Sequence, residues 1–331
     1  MFTDPATVTV SGGSVGQVKA TRLGITLGDP TGIGPEIVAA ALAAMPEGWR
    51  KRVTVYGDHE PLARGAKLMG VTLPDVDIVG EGVGNAAIPG RPDETTGAAQ
   101  VGYLEAAVLA AKRGELAAIV TAPISKTWAR RGGFTFLGHT EMLAQRLGAT
   151  EVAMLFAGPK LKVALATVHR PLAEVVEDLS TERIRAVIEL VVQSMVIDFG
   201  MTAPRIGVLG LNPHAGEDGL LGDEDDEIIA PALTAACPPA TLYGPLVPDA
   251  AFRDALDGKY DAMVAMYHDQ GLIPVKLIDF EEAVNVTLGL PIVRTSPDHG
   301  TAYDIAGTGK ARSVSMQRAL ALAVEMVSRR R

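Results

Sequence analysis

Three histidines in this chain stand at the same kind of place. His169 ends the apolar run 162–168 and is followed by Arg170-Pro171. His214 follows 205–213, an apolar run closing in Leu211-Asn212-Pro213, and precedes Ala215-Gly216. His268 follows the apolar run 262–267 and precedes Asp269-Gln270-Gly271. In an open α/β sheet, ligands gather beyond the carboxyl ends of the strands. Three imidazoles delivered there have the chemistry of a three-nitrogen metal site with one position open for substrate. One histidine so placed reads as a hydrogen-bonded turn residue; three in one arrangement favour the metal.

Other segments carry polar groups where an anion could be held. Gly138-His139-Thr140-Glu141 enters a predicted helix, and a helix start offers free N–H groups to a carboxylate or phosphate. The alternative there is simple capping by Thr140, with Lys126, in the preceding segment Thr121–Lys126, a surface charge. Lys276, Asn285 and Arg294 are expected on or beside closely spaced strand segments, where a fork of arginine donors and a lysine charge would attract an oxyanion. Asn285 interrupts the apolar run 283–288, and a buried amide needs a partner. Residues 24–36, Gly-Ile-Thr-Leu-Gly-Asp-Pro-Thr-Gly-Ile-Gly-Pro-Glu, form a strand, a glycine turn and a helix start. A dinucleotide fingerprint with Asp58 as the ribose acid is tempting, but Gly32-Ile33-Gly34 is followed by Pro35-Glu36-Ile37, without the third glycine. The loop 296–309 is rich in small residues that let backbone approach a flat ligand, and His299 and Asp304 are placed to contact an adenosine. The acidic run Asp223–Glu227 reads as the solvated first turn of a helix.

The elements that must position these residues alternate. Short apolar runs predict strands at 22–28, 53–57, 117–121, 152–157, 161–168, 205–210, 262–266, 284–288 and 291–294. Helical patterns cover 35–45, 60–69, 97–113, 140–147, 181–199, 224–236, 248–256 and 312–329. This alternation is the pattern of βαβ units and a mainly parallel sheet. The chain has 331 residues with 5% aromatics, so its core is built from aliphatic side chains. A net charge of −9 argues against a nucleic-acid surface. No apolar stretch reaches the length of a membrane span. The single cysteine, Cys237, suits a reducing cytoplasm. Residues 1–20 read as a flexible leader.

Taken together the motifs resemble the 4-hydroxythreonine-4-phosphate dehydrogenase family of vitamin B6 biosynthesis. The resemblance runs from about residue 22 to residue 312. It is carried by Gly28-Asp29-Pro30-Thr31-Gly32-Ile33-Gly34-Pro35-Glu36, Gly138-His139-Thr140-Glu141, Asn212-Pro213-His214-Ala215-Gly216-Glu217, Met266-Tyr267-His268-Asp269-Gln270-Gly271 and Val284-Asn285-Val286-Thr287-Leu288-Gly289-Leu290-Pro291. The stretch His299–Gly307 is similar to the nucleotide loop of isopropylmalate and isocitrate dehydrogenases.

The resemblance implies two α/β/α domains in an isopropylmalate-dehydrogenase-like architecture, with the active-site cleft between them. The expected division is residues 21–130 plus 295–331 for the first and 131–294 for the second. It implies a divalent metal on His169, His214 and His268, zinc first with magnesium or cobalt as alternatives, and a homodimer in which the third histidine comes from the partner. His139, Thr140, Lys276, Asn285 and Arg294 correspond to the family's substrate contacts. His299, Gly300, Thr301 and Asp304 would meet NAD or NADP. The implied reaction oxidises 4-phosphooxy-L-threonine and decarboxylates it to 3-amino-2-oxopropyl phosphate. For the general base the residues themselves leave two candidates, His139 and Asp249, and Asp249 reads equally as a cap of helix 248–256. A neighbouring branch that oxidises threonate or erythronate 4-phosphate shares nearly all these motifs. A non-catalytic metal-dependent binding protein is the reading from another class.

Overall fold

The computed structural model describes residues 22–330; the leader expected at 1–20 lies outside the described residues. In chain order the first stretch forms β1 (Arg22–Thr26), α1 (Gly34–Ala44), α2 (Glu47–Arg50), β2 (Val53–Tyr56), α3 (His59–Leu68), β3 (Asp77–Val79), α4 (Glu94–Lys112), β4 (Leu116–Thr121), α5 (Lys126–Arg131) and α6 (His139–Leu147). Next come β5 (Ala153–Ala157), β6 (Lys162–Leu165), α7 (Val175–Asp178), α8 (Thr181–Ile197), β7 (Arg205–Leu209), α9 (Ala230–Thr234), β8 (Thr241–Leu246), α10 (Pro248–Leu256), β9 (Ala262–Ala265), α11 (His268–Asp279) and β10 (Val284–Leu288). The chain closes with β11 (Val293–Pro297) and α12 (Val314–Arg329). Among the described residues it divides into two compact units, one running to Ala149 and resuming over Leu290–Arg329, the other spanning Thr150–Gly289.

The first unit holds the strand order β3-β2-β1-β4-β11, with every pair parallel. Leu23, Ile25, Val53, Val55, Ile119 and Val120 are buried on these strands. Helices cover both faces of an all-parallel sheet, so its strands read as continuous apolar runs. Helix α1 opens with Pro35, whose fixed φ suits a first turn. It is Ala-rich and buried all round from Gly34 to Leu42, as a core helix should be. The side chain of Glu36 in its first turn is buried too, and accepts N–H bonds from Gly307 at 2.6 Å and Gly309 at 3.2 Å. Asp58 is buried and accepts from the Gly82 and Gly84 N–H groups and the Tyr103 hydroxyl. It braces a loop, which gives the tempting ribose acid a structural role.

The second unit has the order β10-β5-β6-β9-β7-β8. Here β10 and β6 both run antiparallel to β5, while β6, β9, β7 and β8 are mutually parallel. Its core gathers Phe156, Leu161, Val163, Leu165, Met263, Leu272 and Val275. Helix α11 was not expected. It contains Gly271 and Pro274, residues that normally interrupt a helix. A Cβ at Gly271 would lie 2.7 Å from Leu165 and 3.0 Å from Val163, so the glycine is what lets the helix press onto β6. Two strands were also missed. Strand β3 is short and largely exposed, and β8 contains Gly244-Pro245. No helix among the described residues is long and apolar enough to cross a membrane.

Candidate active site

The second unit brings the three strand-end histidines to neighbouring parallel strands, and polar side chains join those ends. The Thr167 N–H and hydroxyl both donate to the Met266 carbonyl, at 3.1 and 2.7 Å. That ties the chain before His169 to the chain before His268. Gln270 accepts from the Met266 N–H and donates to the Gly210 carbonyl, both at 2.7 Å, linking the start of α11 to the His214 loop. Buried Asp225 accepts from the N–H groups of Leu211 and Asn212. It belongs to the acidic run expected to be solvated; burial of this one carboxylate fixes the loop carrying His214.

The rings of His169 and His268 lie 5.7 Å apart, tilted by 42°. His214 sits in a left-handed turn with φ of 54°, shared by Ala215, Glu217 and Asp218. Such backbone is sparsely populated by non-glycine residues, and it collects at functional sites. His214 Nδ1 is 2.7 Å from Glu217, and His268 Nδ1 is 2.7 Å from Asp269. A carboxylate on Nδ1 fixes the tautomer and turns Nε2 outward as a metal donor, so the donor chemistry fits a divalent ion. Among the described residues no three His, Cys, Asp or Glu side chains of one chain are disposed to hold an ion. The Glu217 carboxylate raises the His214 pKa, and exposed Asp249, in the first turn of α10, adds to the effect.

The first unit carries a separate cationic group. Arg294 lies on β11 opposite Ile119 of β4, with 4% exposure, and donates to the Thr121 hydroxyl at 2.8 Å. Burial lowers its pKa to about 10, with Glu141 opposing the shift; it stays charged at neutral pH. His139 opens α6, and its Nε2 is covered, with no hydrogen-bond partner among the described residues. Burial, then Arg294 and Lys126, hold its pKa well below the usual value, so the ring is neutral. Gly138 gives α6 no side-chain cap, leaving first-turn N–H groups available beside Thr140. Lys126, for which a surface charge is the alternative reading, is exposed, but its stem passes 3.7 Å from where a Cβ on Gly138 would stand. The signal was its place just past a buried strand, the end where ligands gather.

Of the trio expected on or beside closely spaced strand segments, Asn285 and Arg294 do lie on strands, β10 and β11, and only Lys276 is corrected. Lys276 is in the last turn of α11, its Nζ 5.5 Å from the Phe280 ring centre. Asn285 lies on β10 opposite Phe156, with a buried Oδ1 that has no hydrogen-bond partner among the described residues. Both belong to the second unit with the histidines, and Arg294 to the first. In the loop after β11, His299, Gly300 and Asp304 are exposed and Thr301 is partly covered. Ile33 N–H donates to the Thr301 carbonyl at 2.9 Å, and a Cβ at Gly32 would come within 2.9 Å of that same oxygen. The glycine turn of 28–34 therefore receives this loop.

One pH effect follows from His139. In the unfolded chain it titrates near 6.5; in the fold it resists protonation. The unfolded state then binds the extra proton, so stability is lost as pH falls below about 6.5, by at most about 1.4 kcal/mol per pH unit. Denaturant midpoints of the wild type and His139→Asn at pH 7.5 and 5.5 check this. The variant should show the shallower acid loss; parallel curves would contradict it.

Residues 49–323 match the family model described as pyridoxal phosphate biosynthetic protein PdxA. The chain belongs to this family. It is 44% identical over 324 residues to the 4-hydroxythreonine-4-phosphate dehydrogenase of Desulfosudis oleivorans, covering 92% of this chain and 96% of that protein. The crystal structure of the 4-hydroxythreonine-4-phosphate dehydrogenase of Klebsiella pneumoniae superposes with a TM-score of 0.81 at 37% identity, over 93% of this chain and 100% of that one. A terephthalate 1,2-cis-dihydrodiol dehydrogenase from Burkholderia xenovorans LB400 superposes less closely, with a TM-score of 0.67 at 30% identity, over 92% of this chain and 98% of that one.

Proposed function

We propose that this chain is a metal-dependent, NAD-linked dehydrogenase that oxidises 4-phosphooxy-L-threonine and decarboxylates it to 3-amino-2-oxopropyl phosphate, a step of vitamin B6 biosynthesis in the cytoplasm. The observation that carries the reading is the buried Arg294 beside neutral His139 at the uncapped start of α6, with Lys126 close by. A chain of net charge −9 has placed its cations there, which favours a strongly anionic ligand. Similarity to relatives named for this phosphorylated substrate supports the same choice.

His169, His214 and His268 would hold the ion, which supplies Lewis acidity to the reacting oxygen, while NAD or NADP accepts the hydride. Zinc, magnesium and cobalt are the candidate ions. Arg294, Thr140, Lys126 and neutral His139 hold the anionic groups and so orient the carbinol carbon. The Asn285 Oδ1, without a partner among the described residues, accepts from a donor on the substrate, and Lys276 adds charge in the same unit. Asp249 takes the hydroxyl proton. His139 is the weaker candidate for base because burial and two cations oppose its protonation. Removal of hydride and proton leaves a β-keto acid, which loses carbon dioxide. His299, Gly300, Thr301 and Asp304 would meet the adenosine end of the nucleotide. NADH formation over a panel of 4-phosphorylated threonine, threonate and erythronate tests the assignment. Threonine phosphate should be preferred; turnover of the two sugar acids alone would move the chain to the neighbouring branch, and no turnover would leave a binding protein.

A homodimer with shared sites is proposed from the family resemblance. The contact of His169 with His268 inside one chain is the observation behind the competing reading, a site closed within each chain, while the lack, among the described residues, of three side chains of one chain disposed to hold an ion speaks for the shared site. Mixing inactive His169→Ala with inactive His268→Ala protein distinguishes them. If His268 serves the partner's site, one site of each mixed dimer keeps all three ligands, and up to about half of the sites in that dimer regain activity. No recovery after demonstrated subunit exchange favours the single-chain site.

A further inference from the structure

We infer that Asp29 and Tyr303 form a clasp that holds the 299–309 loop in the conformation its ligand needs, making Tyr303 a positioning residue for the nucleotide. The inference rests on the reading that this loop receives NAD. Asp29 has no exposed surface. Its Oδ1 accepts from the Thr31 N–H at 2.9 Å and the Thr31 hydroxyl at 2.6 Å. Its Oδ2 accepts from the Tyr303 hydroxyl at 2.6 Å and the Gln100 side-chain amide at 3.3 Å. Gln100 in turn accepts the Ser125 N–H at 2.8 Å, and the Asp29 N–H donates to the Pro123 carbonyl at 2.9 Å. One buried carboxylate thus joins the glycine turn, helix α4, the turn leading to Lys126 and the loop after β11. A buried charge keeps its donors strongly, because losing one leaves it poorly solvated.

The loop needs such a hold. Ala302 has φ of 44°, a left-handed conformation that costs a residue with a Cβ and persists only where the surroundings impose it. Thr301 on one side is fixed through its carbonyl to the Ile33 N–H, and Tyr303 on the other through its hydroxyl to Asp29. The two anchors straddle the strained residue. Burial raises the Tyr303 pKa, and the bond to Asp29 raises it further, so the hydroxyl remains a donor.

Tyr303→Phe keeps the ring and removes the donor. KM for NAD should rise about tenfold, with kcat at saturating NAD and KM for the phosphorylated substrate within about twofold of wild type. Amide exchange should quicken over 299–309 and not elsewhere. Adding Ala302→Gly, which removes the cost of the positive φ, should recover most of the NAD affinity. A purely structural role would instead lower the melting temperature and shift all kinetic parameters together, without rescue, and would overturn the inference. His299→Ala separates this from the underlying reading. If it raises KM for NAD and Tyr303→Phe does not, the clasp is wrong. If both leave KM for NAD unchanged while exchange quickens in Tyr303→Phe, the nucleotide binds elsewhere and both readings fall.

Discussion

Alanine in place of His169 should cut turnover by about a thousandfold or more, since a Lewis-acid ion contributes several kcal/mol to stabilising a developing alkoxide. The ring is exposed, so its removal opens no core cavity and the fold should survive. At His214 the better substitution is His214→Gly, because the backbone there has φ of 54°, which glycine adopts without the cost that a Cβ carries. Elemental analysis of both proteins, beside circular dichroism and the NADH assay, decides the matter. Each should be folded, depleted of metal and inactive. Full metal occupancy in either variant would remove that residue from the ligand set, whatever happened to the rate.

Loss of the Arg294 charge should reduce kcat/KM for the phosphorylated substrate by about tenfold to a hundredfold or more, the equivalent of charge-assisted hydrogen bonds worth about 1.5–3 kcal/mol. Arg294 is 4% exposed, so Arg294→Ala also leaves a cavity; Arg294→Met keeps most of the volume and isolates the charge. Both should show the same kinetic loss, with the larger fall in melting temperature in the alanine variant. Metal content should stay normal because arginine is no ligand. KM for NAD should change little. If these variants weaken NAD binding and spare the substrate KM, the phosphate and nucleotide sites have been exchanged.

Much of this was legible in the sequence because it is local. The parallel strands show as aliphatic runs such as 53–57 and 262–266, and the histidines stand at their ends. The gaps have physical causes. Helix α11 was hidden by Gly271 and Pro274, since the glycine is chosen for contact with Leu165 and Val163, which only the packed structure reveals. That omission put Lys276 beside a strand when it belongs to a helix. Strand β3 escaped because an exposed edge needs no apolar pattern. The groups that align the site, Thr167, Asp225 and Gln270, bond to backbone that lies 99, 14 and 60 residues away in sequence. Nothing in residue type distinguishes buried Asp225 from its solvated neighbours in the same acidic run.

Glu36 deserves a chemical reading as well as a structural one. Its carboxylate occupies the amides of Gly307 and Gly309 from the first turn of α1. In many nucleotide-binding folds a glycine-rich turn at a helix start offers its N–H groups to a pyrophosphate. Here the protein has supplied its own carboxylate, permanently attached, to two glycine N–H groups of the loop after β11. If the nucleotide binds at this loop as proposed, it would meet filled amides and a carboxylate where a phosphate would otherwise be welcomed. On that proposal, recognition would fall on the uncharged parts of the ligand, the base and ribose, and should depend less on ionic strength than that of a phosphate-gripping turn.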